Sequence, residues 1–439
     1  QNIAELYLNK TETIKREEMK ARLSRALRSC AHGNIGEKLY VKDYIKDLLQ
    51  AKMGIDEETI DQVIKFKEPD KLSCQDKFEI LLYQQKKIYG EEAFSKLSEA
   101  GGFEEVKHIN GNTKYKVTEE DIHQLFDRLS EPLAYVDKLE IITQRIYQEV
   151  YGFSIADEIR DMNVDGISGG ISGISTQQYY FMDESMESGA AKKAMSYDSL
   201  WVFLHGKPIH LECLTFGTQE ELIRVCKNLY MYDNVGHLTS SKGYKLTYLA
   251  DSSRVVIVRP NFVSHWAFFV RKFKSASKMS LRELVKDEGN QLVTDITKWA
   301  VKGCLNLLIS GDQNSGKTTY LRAMIGLIDQ RYPIRTTEQD FELWIANTFP
   351  EWNTGAFRTT DEVSLMDALG IEINNPELAE AFVSLTQSGT KMTWGTIHTV
   401  TADDTIDYLR NAILSKSFNN EMIAEEQVAN SLNLDFHWV

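Results

Sequence analysis

Long apolar runs are missing from this chain. The longest, such as "HWAFFV" and "CLNLLI", fall far short of the roughly 20 residues needed to cross a bilayer, and no signal peptide is read at its start. A cytoplasmic protein, peripheral at most to the inner face of the cell membrane, is expected. Cysteine is scarce as well. Cys30, Cys74, Cys213, Cys226 and Cys304 stand without paired or metal-ligand spacing, which sets aside a disulfide scaffold and structural zinc. Positive charge is in deficit, since 50 Lys and Arg face 64 Asp and Glu for a net −14. A broad nucleic-acid surface gains affinity by replacing counterions with basic side chains, so none is expected here. The one basic-looking stretch, "KREEMKARLSRALR", mixes acids and bases at helical spacing and reads as a solvated helix face.

What is present is ordinary globular text. With 439 residues, 42% of them apolar, the chain can build two or three domains. From Arg16 to about Phe126, "YVKDYIKDLLQAKM", "EETIDQVIKF" and "DKFEILLYQQKKIYG" space their apolar residues three and four apart, which predicts an all-helical region over 1–126. Helical text continues to "NVDGISGGISGIS", after which β-formers in "SLWVFLHGKPIHLECLTFG" flank a Gly206-Lys207-Pro208 turn. "YKLTYLADSSRVVIVRP" reads as a second two-stranded unit, with the amphipathic helix "TQEELIRVCKNLYMY" between them. A mixed α/β middle domain is therefore expected over 127–273, a polar linker over 274–280, and a further domain over 281–439.

That last domain carries the most specific signal. In "LNLLISGDQNSGKTTY", Gly311, four arbitrary residues and Gly316-Lys317-Thr318 match the G-x-x-x-x-G-K-[ST] phosphate loop. The glycines let successive backbone N–H groups converge on phosphate oxygens at a helix N-terminus. Lys317 is placed to meet the β- and γ-phosphates of ATP, and Thr318 to give a hydroxyl to Mg²⁺. Asn314, Ser315 and Thr319 complete the set of loop residues expected to line the nucleotide. Context supports the match, because an apolar strand leads in and "TYLRAMIGLI" follows with helical spacing.

Further strings agree in order: "SSKGYKLTYLADSSRVVIVRP", "FFVRKF", "TTEQDFEL", "GIEINNPELAEAFVSLTQSG" and "GTIHTVTADDTIDYLR". Together with the loop they resemble the type II/type IV secretion ATPase superfamily, most closely its tight-adherence pilus branch, the CpaF-like ATPases. The resemblance spans roughly the last 300 residues; no motif covers the first 125 or so. It implies a RecA-like motor domain preceded by a PAS-like mixed α/β domain. It also implies a homo-hexameric ring and an inner-membrane platform protein of a pilus or secretion apparatus as partner.

The same resemblance assigns residues. Glu338 and Glu342 fall on the family's Asp box, where a carboxylate can reach Mg²⁺ or orient water. Glu372 falls on the Walker B glutamate and His398 on the His box, where an imidazole can sense the γ-phosphate. Arg254 and Arg271 fall on middle-domain arginines that reach the nucleotide, with Arg259 the more ordinary strand-edge arginine. Two departures stand out: Gln339 replaces the second acid of the Asp box, and Asn374 an arginine near Walker B. "SLMDALGI" reads as a helix running into a strand remnant, as though about ten residues near 369–371 were lost, and no closing strand is expected at "DFHWV". A conjugation ATPase serving DNA transfer, a non-hydrolysing nucleotide switch and a small-molecule kinase are the alternative readings.

Overall fold

The computed structural model describes all residues except 1–2, 31–32, 110–111, 175–194, 231–237, 240–242, 252, 273–279, 287–288, 313–314, 339–340, 359–369, 374, 389, 417–419 and 439. For 3–16, 109, 112, 358, 370–372 and 416 it describes the backbone only. The chain divides into two compact units, Gln1–Lys274 and Ser275–Val439. The expected linker 274–280 lies almost wholly outside the described residues.

In the first unit, β1 (Lys107–Ile109), β2 (Asn112–Val117), β3 (Gly166–Gly169), β4 (Leu200–Leu204), β5 (Lys207–Leu211), β6 (Tyr244–Tyr248), β7 (Arg254–Val258) and β8 (Ala267–Arg271) form one sheet. Its order is β1-β2-β5-β4-β3-β8-β7-β6. The region before Phe126 is thus not purely helical. β1 and β2 pair with each other, and Tyr115 to Val117 pair in parallel with Ile209 to Leu211, which joins the expected N-terminal region to the middle one. The β-formers around Asn110-Gly111 carried that signal in the sequence. The turn between β4 and β5 falls on His205 and Gly206, both with positive φ as a two-residue hairpin turn needs, so Lys207 and Pro208 already belong to β5.

A buried charge cluster ties this unit together. Lys38, on the helix Ile35–Ala51, reaches Asp157 and, at 2.6 Å, Asp161. Arg160 pairs with Asp161 and, at 3.3 Å, with Asp251. Burial alone disfavours the Lys38 charge, but Asp157, Asp161 and Glu158 outweigh it and hold the ammonium pKa above its ordinary value.

The second unit is built on a six-stranded sheet: β9 (Leu307–Gly311), β10 (Ile334–Glu338), β11 (Thr354–Arg358), β12 (Gly370–Ile373), β13 (Trp394–Ile397) and β14 (Leu434–Trp438). The strands are parallel in the order β11-β10-β12-β13-β9-β14. Parallel sheets bury both faces, and β9 shows how. Leu307 and Ile309 pack with Tyr320, Leu321, Met324 and Trp394, while Leu308 packs with Phe382, Leu409 and Ile413 on the other side.

One expectation needs correction. "LDFHW" is a closing strand, paired residue for residue with β9 from Leu434↔Leu307 to Trp438↔Gly311. Its alternating apolar and polar residues suit a strand buried on one face and polar on the other. The apparent strand remnant before Glu372 is itself a strand, β12, seated between β10 and β13 with Glu372 inside it. The stretch whose text suggests lost residues falls mostly on 359–369, outside the described part.

Replacing Lys38 with Met leaves Asp157 and Asp161 buried without their shared counter-charge, which should cost about 3–5 kcal/mol. Chemical denaturation followed by circular dichroism checks this, and a loss below about 1 kcal/mol contradicts it.

Candidate functional site

Ligands in open parallel α/β sheets bind beyond the carboxyl ends of the strands, and Lys317, Thr318, Glu338, Glu342 and His398 of those singled out from sequence lie at those ends. β9 stops at Gly311, and the helix Lys317–Ile325 starts after Gly316. Both glycines have positive φ, 134° and 93°. A side chain at Gly311 would also run into the Trp438 carbonyl oxygen of β14, so glycine is required there by packing as well as by conformation.

Lys317 is 4% exposed, and its Nζ donates to the carbonyl oxygens of Gly311, at 2.9 Å, and Asp312. A third contact runs to Ser315 Oγ at 3.3 Å. The ammonium is therefore curled back under the loop, at the positive end of the helix, where a phosphate would be met. Tyr320, on the same helix, is locked by Thr297 Oγ1 at 2.6 Å and by the Trp438 and Phe436 rings. Thr319 lies on this helix; Asn314 lies outside the described residues.

Across β13 and β12 from the loop, β10 ends at Glu338, which is 3% exposed. Thr336 Oγ1 and the Leu343 backbone N–H each donate to its carboxylate at 2.8 Å. Burial nevertheless dominates and raises its pKa to about 7, with the Glu342 charge adding to the rise. A cleft lined by Thr318, Leu321, Glu338, Glu342, Leu343 and Thr396 brings the magnesium-binding candidate and both acidic-box candidates together. Glu372 has its backbone in β12 opposite Thr396; its side chain is outside the described part. His398 is exposed, one residue beyond β13. Gln339 and Asn374 fall outside the described residues.

Arg254 and Arg271 belong to the first unit, where they face each other directly across β7 and β8. Like charges so opposed are unfavourable unless other groups offset them, and both engage further neighbours. Arg259 donates to the Leu238 carbonyl at 3.2 Å and lies over the Trp266 ring, an ordinary structural position.

Arg322 escaped the sequence reading. It is buried on the loop helix, donates to the Glu342 carbonyl oxygen at 2.6 Å, and makes no hydrogen bond through Nε or Nη1 among the described residues. Burial lowers its pKa, while Glu338 and Glu342 act to raise it. The signal was a charged residue on the apolar side of "TYLRAMIG", five positions after Lys317.

These residues fit a magnesium nucleotide. A glycine-bounded loop, a sequestered ammonium at a helix N-terminus, and a hydroxyl and carboxylates sharing one cleft form the donor set that phosphoryl chemistry uses. No protein-family model and no curated protein matches the chain. Among solved structures it is similar to the VirB11 ATPase from the Brucella suis type IV secretion system, at 17% identity over 55% of this chain and 84% of that one, with a TM-score of 0.30. It is likewise similar to the Legionella pneumophila ATPase DotB, at 12% identity over 63% and 73% with a TM-score of 0.43. The pilus retraction motor PilT with bound ADP gives 14% over 69% and 76%, with a TM-score of 0.42. At such identities and scores the likeness bears no weight for function.

The Glu338 carboxyl binds its proton more tightly folded than unfolded. Its contribution to stability is full below the ordinary carboxyl pKa and is lost as pH rises through about 7. Each pKa unit is about 1.4 kcal/mol, so Glu338→Gln should stabilise the metal-free protein above that pH and flatten its stability profile. Denaturation midpoints across that pH range are the measurement; identical profiles for both proteins contradict the assignment.

Proposed function

We propose that this chain is a magnesium-dependent ATPase whose phosphate-loop unit has a RecA-like arrangement and powers a pilus or secretion apparatus. The observation that carries the reading is the cleft holding Thr318, Glu338 and Glu342 beside a sequestered Lys317. The strand order supports it, because one strand, β13, separates the loop strand from β12, which carries Glu372.

In this reading the Gly311–Thr319 segment grips the phosphates, with Lys317 exchanging its loop carbonyls for β- and γ-phosphate oxygens and Thr318 holding Mg²⁺. The metal supplies charge neutralisation on the phosphate oxygens. Glu372 orients the attacking water, Glu338 and Glu342 shape the acidic wall opposite the loop, and His398 senses the γ-phosphate. Arg254 and Arg271 enter by the family resemblance alone, as cations that stabilise developing charge. That resemblance also supplies the homo-hexameric ring, the cytoplasmic setting and the membrane platform partner. Among the described residues no helix is long and apolar enough to cross a membrane. An acidic chain has no general electrostatic drive to bind DNA, which favours a platform protein over DNA as the activator.

Lys317→Ala should lower ATP turnover by at least about a hundredfold, while Glu372→Gln should keep nucleotide affinity and lose mainly kcat. Steady-state hydrolysis with a binding titration checks both; wild-type-like turnover in Lys317→Ala contradicts the motor reading. Arg254→Ala and Arg271→Ala should each cost about 2–4 kcal/mol of transition-state stabilisation. Unchanged turnover in both removes the middle region from the chemistry. Hydrolysis should also rise with the cytoplasmic part of a platform protein and respond little to DNA; the reverse pattern favours DNA transfer.

A further inference from the structure

Ser310 is the last residue before Gly311, fully buried on the face of β9 opposite Ile309. Two residues of β14 converge on its hydroxyl: Asp435 Oδ2 at 2.7 Å and His437 Nδ1 at 2.8 Å. The other ring nitrogen, His437 Nε2, lies 3.1 Å from the Val400 carbonyl oxygen. A carbonyl only accepts, so Nε2 carries a hydrogen. Nδ1 then has two options. It accepts from Ser310, and a protonated Asp435 donates to Ser310 Oγ; or it donates to Ser310, which in turn donates to an ionised Asp435. Either way one proton serves an acid and an imidazole through a single hydroxyl, and the trio is neutral overall. The same trio makes no sense as a nucleophilic triad, since the serine stands between the acid and the histidine and is closed to solvent.

The far end of this chain of hydrogen bonds is the informative one. Val400 lies two residues beyond His398, in the segment between β13 and the helix Ala402–Lys416. Thr401 begins that helix, its backbone N–H and hydroxyl both donating to Asp404 Oδ2, at 2.9 and 2.7 Å. The segment is thus held on its helix side by the Asp404 cap and from the sheet side by His437. We infer that His437, seated beside Ser310 and Asp435, is the positioning end of this relay, and that its bond to Val400 fixes the segment carrying His398 against the end of the phosphate-loop strand. The sensing role of His398 rests on the proposed function; the anchoring of residues 398–401 does not. Asp435 Oδ1 is buried with no hydrogen bond among the described residues, while Oδ2 meets Ser310. Burial raises the Asp435 pKa, in keeping with a carboxyl able to hold the shared proton.

Two near-isosteric variants separate positioning from general stability. In His437→Gln the amide nitrogen takes the place of Nε2 and keeps the bond to Val400. In His437→Asn the amide oxygen takes the place of Nδ1, keeps the Ser310 contact and loses Val400. Hydrogen–deuterium exchange on the full chain should show amides of 398–405 exchanging about tenfold faster in His437→Asn, with His437→Gln within about threefold of wild type. The helix Pro376–Gln387 serves as internal reference. Unchanged exchange in His437→Asn, or an equal rise in the reference helix, overturns the relay. In the same variants kcat for ATP should fall about tenfold in His437→Asn with KM within about threefold, and recover in His437→Gln. A faster-exchanging segment with unaltered kcat overturns the link to His398. If wild type hydrolyses no ATP, the proposed function fails while the exchange result still decides the anchoring.

Discussion

The close approach of β14 to β9 is the constraint on which the rest of the second unit depends. β14 pairs in parallel along the whole of β9 and ends with Trp438 opposite Gly311, its carbonyl oxygen filling the space a side chain would take. The residue there must therefore be glycine, and Gly311 leaves the sheet with a positive φ. Trp438 and Phe436 press on Tyr320 from the same strand, and Tyr320 is bonded to Thr297, so the start of the loop helix is fixed from both sides. On the opposite face of β14, Asp435 and His437 meet Ser310. One short strand thus sets the exit of the loop, the seat of its helix and the polar contacts beneath it.

Buried charge serves different ends in the two units. Around Lys38 the acids Asp157 and Asp161 are matched by cations at hydrogen-bonding distance, which is a structural solution to the cost of burial. Thr336 Oγ1 and the Leu343 backbone N–H donate to Glu338, yet burial still raises its pKa to about 7. In the proposed function, a buried carboxyl with a raised pKa beside Thr318 is suited to take up a cation.

Much of this was legible in the sequence because local chemistry dictates it. Gly311, Gly316, Lys317 and Thr318 form a loop through backbone freedom and charge, and the apolar run before them makes a doubly buried strand. The hairpin of β4 and β5 and the helix Gln219–Tyr230 followed from their own periodicity. Where long-range pairing decides, sequence reading failed. β1 and β2 lie in otherwise helical text and gain their place from β5, and β14 reads as a frayed end until β9 is set beside it. Arg322, Ser310, Asp435 and His437 were missed for the same reason, since their partners are distant in the chain or carry no motif.

A crystal structure of the chain with Mg²⁺ and a non-hydrolysable ATP analogue tests the central claim most directly. The β- and γ-phosphates are expected against Lys317 Nζ and the backbone of the Gly311–Lys317 loop, with the metal on the Thr318 hydroxyl inside the cleft that Glu338 lines. A nucleotide seated elsewhere, or phosphates that leave Lys317 bonded to the Gly311 and Asp312 carbonyls, would contradict it.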